Sequence, residues 1–322
     1  MSAALTAIQP DKLPTPKEET WKYTNLPRAV PDGLTRADDE EEIIIHLKKG
    51  EVREAPEDIT FTGVKGAMHI AQLKVKLEEG AELTLIERHD GEGEYWKNRV
   101  TDIKLGKNAK LRHIRIQNDS HEAVNTNMVH IGVEQDAVYD GFTLNIGGKL
   151  TRHEIHAAIN GQNAEVSFNG VNLLNGEQHG DTTILIEHKA PHCQSNQFYR
   201  TLLDDKSRGV FQGKVHVHQE AQKTDGYQLA NTLLLSPEAE MDTKPELEIY
   251  ADDVKCSHGA TTGQLDEEPL FYLRQRGLNE AQARLLLVQA FVDEVVDKVE
   301  DETLREEILE ATNTWLSNAL QK

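Results

Sequence analysis

Gly80-Ala81-Glu82-Leu83-Thr84-Leu85-Ile86 sets a turn residue, then a small residue, then alternating apolar positions, and the chain returns to this arrangement again and again. Asn108-Ala109, Asp136-Ala137 and Asn163-Ala164 repeat it, and Lys189-Ala190 and Glu220-Ala221 extend it without the turn residue. The alanines fall 28, 28, 27, 26 and 31 residues apart. Gly, Asn and Asp tolerate a left-handed backbone at a sharp corner, and a small residue beside the corner lets successive turns stack closely. A steady period of this length, with strand-like content and no helical pattern between repeats, reads as a β-solenoid in which each coil buries its face on the next.

Outward from that stretch, Ile43-Ile44-Ile45, Leu73–Leu77, Leu111–Ile116 and Thr183–Ile186 carry the β-branched and apolar enrichment of strands. Three regions follow. Residues 1–42 hold Pro10, Pro14, Pro16, Pro27 and Pro31 and end in the acidic run Asp38-Asp39-Glu40-Glu41-Glu42, which reads as an arm rather than a core. Residues 43–263 form the solenoid. Residues 264–322 turn helical: Asp266 caps a short helix closed by Gly277, Asn279 caps a longer one running to about Lys298, and Asp301 opens a third. In that third helix Leu304, Ile308, Ala311 and Trp315 make one apolar stripe, suited either to capping the solenoid or to docking a partner.

The 322 residues carry 35 Lys+Arg against 55 Asp+Glu, a formal charge of −20. That balance argues against nucleic-acid binding, which needs phosphate-neutralising bases, and against docking on an anionic membrane. Cys193 and Cys256 are the two cysteines, too few for a disulfide framework. No secretory leader and no apolar run of membrane-spanning length is present, so a cytoplasmic location is expected.

Chemistry-bearing motifs are sparse. No phosphate loop exists, since Gly147-Gly148-Lys149 lacks the upstream spacing and the Ser/Thr; the chain is expected to hold no ATP site. His153 and His156 are three apart, whereas a helical H-E-x-x-H needs four. His188, His192 and Cys193 cluster around Pro191 without a fourth ligand and read as turn residues. His216, His218 and Glu220 sit at i, i+2 and i+4, so a strand puts them on one face, where they could hold iron or manganese in a free-standing metal-dependent enzyme. Cys256 and His258 are likewise i, i+2, with soft-to-borderline donors suited to iron, iron–sulfur clusters or zinc, and Lys255 is placed to lower the thiol pKa. Two ligands do not close a site.

Asp204-Asp205-Lys206-Ser207-Arg208-Gly209-Val210-Phe211-Gln212-Gly213, Ala221-Gln222-Lys223-Thr224-Asp225-Gly226 and Thr243-Lys244-Pro245-Glu246-Leu247-Glu248 through Lys255-Cys256-Ser257-His258-Gly259-Ala260-Thr261 together resemble the SufB/SufD family of iron–sulfur cluster assembly proteins. Leu270–Gly277 and Glu19-Thr20-Trp21-Lys22-Tyr23-Thr24 add to the match. Residues 229–236 lack the cysteine of the SufB branch, and the K-C-S-H-G-A form is that of the SufD branch. The resemblance implies a right-handed parallel β-helix with helical segments at its ends. It implies a non-catalytic scaffold subunit that pairs with SufB through the β-helix, or with itself where SufB is absent, and meets the ABC-type ATPase SufC through the C-terminal helices. It further implies a transient iron–sulfur cluster at the partner interface, with His258 as an imidazole ligand and Cys256 as a less secure one, and a flavin as a feature of the complex. Relative to the family the chain is short, the deficit falling between Trp21 and Ile43.

Overall fold

Backbone geometry at the corners dictates the architecture. In the computed structural model, which describes residues 7–37 and 42–320, Gly50, Gly80, Asn108, Asp136, Asn163, His192 and Lys223 all have left-handed φ between 55° and 72° and form one column of corners. The corner N–H groups of Asn108, Asp136, Asn163 and His192 each donate to the carbonyl just before the next corner, at Gln135 (2.9 Å), Gln162 (3.0 Å), Pro191 (3.3 Å) and Gln222 (2.9 Å). The column thus corrects the last two repeats read from sequence. The corners are His192-Cys193 and Lys223-Thr224, three residues after Lys189-Ala190 and Glu220-Ala221. The connection lengthens along the chain, from residues 78–81 early on to 218–224 near the end, and carries the corner with it.

The strands are β1 (Thr35–Arg36), β2 (Glu42–Leu47), β3 (Glu57–Gly63), β4 (Ala67–Leu77), β5 (Glu82–Gly91), β6 (Trp96–Leu105), β7 (Lys110–Gln117), β8 (Val124–Val133) and β9 (Val138–Asn145). They continue as β10 (Leu150–Ile159), β11 (Glu165–Leu174), β12 (His179–His188), β13 (Gln194–Leu203), β14 (Arg208–Val217), β15 (Asp225–Leu234), β16 (Glu240–Ile249) and β17 (Lys255–Gly263). Even-numbered strands stack in parallel as sheet A, from β4 to β16, with β1 and β2 both on β4; odd-numbered strands stack as sheet B, from β3 to β17. The fold is a parallel β-helix, flattened into two sheets. The acidic run Asp38–Glu41 lies outside the described residues.

Between the sheets the interior has two chemistries. One half is aliphatic: Leu73, Val75, Ile103, Val129, Ile131, Ile155 and Ile184 from sheet A meet Leu83, Leu85 and Leu111 from sheet B. The other half is polar. His89, Gln117, Asn145, Asn172, Thr201 and Thr232 are buried in one register column that ends at the exposed Thr262, and Asn145 donates to Asn172 at 3.1 Å. Buried Asp119 accepts from Lys97 Nζ (2.6 Å), Tyr95 Oη (2.7 Å), Asn125 Nδ2 (2.7 Å) and Gln117 Nε2 (2.8 Å). A buried carboxylate is tolerated only with this degree of hydrogen bonding and a counter-charge.

Each outer face is partly covered. Over sheet A lies the N-terminal segment, with a 3₁₀ turn at Glu19–Trp21 and helix α1 (Leu26–Ala29). Expected as an arm outside any core, it buries Trp21, Leu26 and Ala29 against Trp96, Val124 and Leu150. Trp21 also stacks on the Arg152 guanidinium at 4.1 Å, and the Thr24 hydroxyl donates to Asp181. Over sheet B lie α3 (Glu280–Val296) and α4 (Glu302–Leu320), preceded by α2 (Glu267–Gln275). The caps fall where sequence places them: Asp266 accepts from Glu268 N, and Asn279 with Gln282 forms a capping box. The stripe Leu304, Ile308 and Trp315 is spent inside the chain, against Val288, Val292, Phe142 and Leu144. It is therefore neither an end cap nor a free docking face.

Candidate functional site

Coverage stops at the last coil. Among the described residues, strand β17 pairs only with β15, and β16 only with β14, so the solenoid ends in two open strand edges. Cys256 and His258 lie on β17, in register with Gly226 and Gln228 of β15, and strand alternation puts both side chains on one face. Cys256 is half-buried and packs with Leu247, Val254 and Ala251. A Cβ at Gly226 would stand 3.3 Å from its sulfur, so the glycine leaves the thiol its room. Burial raises the Cys256 pKa, and the Asp225 carboxylate adds to the rise; the expected activation by Lys255 does not occur. The thiol is thus held protonated, a poor ligand until something displaces its proton.

His258, by contrast, is exposed on the terminal strand. Its register neighbour Gln228 is fully buried, donates from Nε2 to Gln197 Oε1 at 3.2 Å, and leaves its own Oε1 without a hydrogen-bond partner. Gly213 makes that glutamine pair possible, since a Cβ there would fall 1.4 Å from Gln228 Nε2. Two glycines of the sequence signatures, Gly213 and Gly226, are thereby explained by packing in the last coils. Cys256 and His258 join no set of three metal-ligating side chains among the described residues, so a cluster held here needs ligands from outside the chain.

The other sequence candidates sort differently. His216 and His218 do come together, with ring centroids 4.4 Å apart and 7° between planes, but Glu220 is exposed in the following turn and is not part of the group. The third residue is Glu187 of β12, which lies opposite His216. The coil period signals this pairing, because Glu187 and His216 are one repeat, 29 residues, apart. His188 is buried and bonded to Ser195 Oγ at 2.8 Å, His192 is a corner, and Cys193 donates to Gly161 O and Pro191 O; the three do not converge. Sequence reasoning missed Gln197 and Gln228, whose only signal is again the repeat spacing.

Phe271 (65% exposed) and Tyr272 (57%) of α2 and Leu286 (45%) of α3 are large apolar side chains left open on the helical region. No helix among the described residues is long and apolar enough to cross a membrane.

Comparison with known proteins bears on this geometry. Residues 60–291 match the family described as SUF system FeS cluster assembly, SufBD core domain. The chain is 37% identical over 238 residues to the iron–sulfur cluster assembly protein SufD of Escherichia coli, covering 72% of this chain and 56% of that one. It is 38% identical over 238 residues to a SufBD family protein of Synechocystis, covering 71% and 52%. With a SufBD family protein of Mycobacterium tuberculosis it shares 31% over 265 residues, covering 80% and 66%. The chain spans about half the length of the first two of these relatives. With a β-helical core that matches over most of its length, the chain belongs to the SufB/SufD family of iron–sulfur cluster assembly proteins, on the SufD side of it.

Proposed function

We propose that this chain is a non-catalytic scaffold subunit on which an iron–sulfur cluster, its cargo, is built between the terminal coil and a SufB-like partner, with His258 as the ligand this chain supplies. The observation that carries the reading is the position of His258: an exposed imidazole on an unpaired terminal strand, in register with a buried glutamine whose Oε1 lacks a partner. An imidazole that binds metal through one nitrogen needs an acceptor for the other, and such outer contacts fix its orientation. Gln228 is placed to serve. Cys256, protonated and half-buried, is the secondary ligand.

The open edges of β16 and β17 supply unpaired backbone donors and acceptors for a second β-helix, and an ATPase of the SufC type would dock on the apolar residues Phe271, Tyr272 and Leu286 rather than on the buried α4 stripe. A flavin is assigned to the assembled complex. A groove of about 720 Å3 along sheet B is lined by charged and polar side chains such as Arg53, Lys110, Asp140, Ser167 and Glu300, with Tyr139 and Tyr227 among them. As a scaffold in the cytoplasm the chain would perform no chemistry of its own.

The test is anaerobic co-purification with SufB-like and SufC-like partners, followed by iron and sulfide determination. His258→Ala is expected to leave the complex intact and to lower cluster loading several-fold, with Gln228→Leu intermediate. Normal loading in the His258→Ala complex would sink the ligand role.

A further inference from the structure

The outer face of sheet A carries a cluster of metal-ligating side chains that the assembly role does not use. His216 is on β14, and His218 follows one residue past its end, two positions along the same face. Glu187 of β12 is in register with His216 on one side, and Glu248 of β16 is in register with it on the other. One ligand atom each from Glu187, His216 and His218 lies within 4.8 Å of the other two.

The surrounding charges sort the two carboxylates. Glu187 Oε2 is held by Lys189 Nζ at 2.9 Å, which leaves Oε1 turned to the imidazoles, 3.4 Å from His218 Nε2. Glu248 is engaged by Lys214 Nζ at 2.5 Å and by the Tyr250 hydroxyl at 2.6 Å, and Tyr250 in turn flanks the His216 ring. Glu187 is therefore the available oxygen ligand, and Glu248 is an outer group.

We propose that Glu187, His216 and His218 form a binding site for one divalent transition-metal ion on the outer face of sheet A, distinct from the strand that carries His258. Two imidazole nitrogens and one carboxylate oxygen are a borderline donor set, suited to zinc, cobalt, nickel or ferrous iron. At metal–ligand bonds of about 2.0–2.1 Å, tetrahedral ligand atoms stand about 3.4 Å apart, so the three must close from their present separation. All three side chains are about one-third exposed or otherwise half-buried, so rotation about their χ angles accomplishes this without moving the strands. The remaining coordination positions face solvent and take water. Lys189 orients the carboxylate as outer-shell partners of metal ligands do.

The experiment uses the full chain, free of any affinity tag and stripped with chelator. Co2+ titration is followed by its visible absorption, and Zn2+ titration by calorimetry. One equivalent is expected to bind, and His216→Ala and Glu187→Gln are each expected to weaken binding by about tenfold or more, the scale seen when a metal site loses a supporting group. Glu220→Gln is expected to change nothing. Wild-type binding weaker than about 1 mM, or affinity unchanged in either His216→Ala or Glu187→Gln, overturns the site. Should His216→Ala melt early, His218→Gln replaces it.

Discussion

The coils from β4 to β13 and the coil of β16 and β17 are made by the same backbone repeat, yet they live in opposite environments. In the first region part of each outer face is roofed, sheet A near its strand starts by the N-terminal segment and sheet B by α3 and α4. The interior there tolerates Asp119, Lys97, Glu87 and Arg115 at full burial because each is matched by donors or counter-charges. In the last coil the roof is gone, both strand edges are open, and the burial of β16 and β17 falls to half or less. A solenoid gains stability coil by coil from its neighbours. Its final coil has a neighbour on one side only, and that is where the exposed imidazole of His258 and the half-buried thiol of Cys256 stand.

Breaking the sealed region should cost the most. Asp119→Ala strands the Lys97 ammonium in the interior and is expected to destabilise the chain by about 3–5 kcal/mol, read as a fall in urea midpoint, while His258→Ala in the open coil leaves that midpoint where it was. A loss under about 1 kcal/mol for Asp119→Ala would mean that water reaches the interior and the two regions are not as different as their burial says.

Acid sharpens the same contrast. Burial, reinforced by the Arg115 charge, lowers the pKa of His89 to about 3, and burial alone lowers that of His188 to about 4. Both are neutral in the fold and take up a proton near 6.5 on unfolding, so the unfolded chain binds more protons below that pH. Stability is therefore full above pH 6.5 and falls as the pH drops toward 4, by up to about 1.4 kcal/mol per pH unit for each histidine. His188→Gln is expected to flatten this slope in a pH series of melts. An unchanged slope would show that His188 is already hydrated.

The smallest effect is at a corner. His192→Gly should raise the melting temperature slightly, by relief of a left-handed backbone that costs a side-chain-bearing residue about 1–2 kcal/mol, partly offset by the freedom glycine regains on unfolding. Lys189→Gly, outside the left-handed position, should lower it. The reverse order would return the corner to the place that residue spacing alone assigns.

Much of the fold was legible. Turn residues before alanine marked the first corners, and Asp266 and Asn279 marked the helix starts, because local backbone chemistry decides such features. His192 and Lys223 were not legible as corners, since no alanine follows either of them, and the carbonyls of Gln222 and Asp253 that accept from their N–H groups are set by the stack. For the same reason His216 was paired with the wrong glutamate: Glu220 is near in sequence, while Glu187 is near only once the coils stack. Trp21 was read into an arm because its partners Trp96, Val124 and Arg152 lie far along the chain.

By itself, then, the sequence determined the repeat, the helix caps, the family and the presence of a thiol and an imidazole two residues apart on β17, all properties written in neighbouring residues. The tertiary structure alone decided which faces are roofed, that the α4 stripe is internal, that the Cys256 thiol is held protonated, and that Gln228 lies beside His258 in the stack. Those depend on which coil rests on which, and a period that varies between 26 and 31 residues leaves the register to be settled by packing and by the hydrogen bonds of the corners.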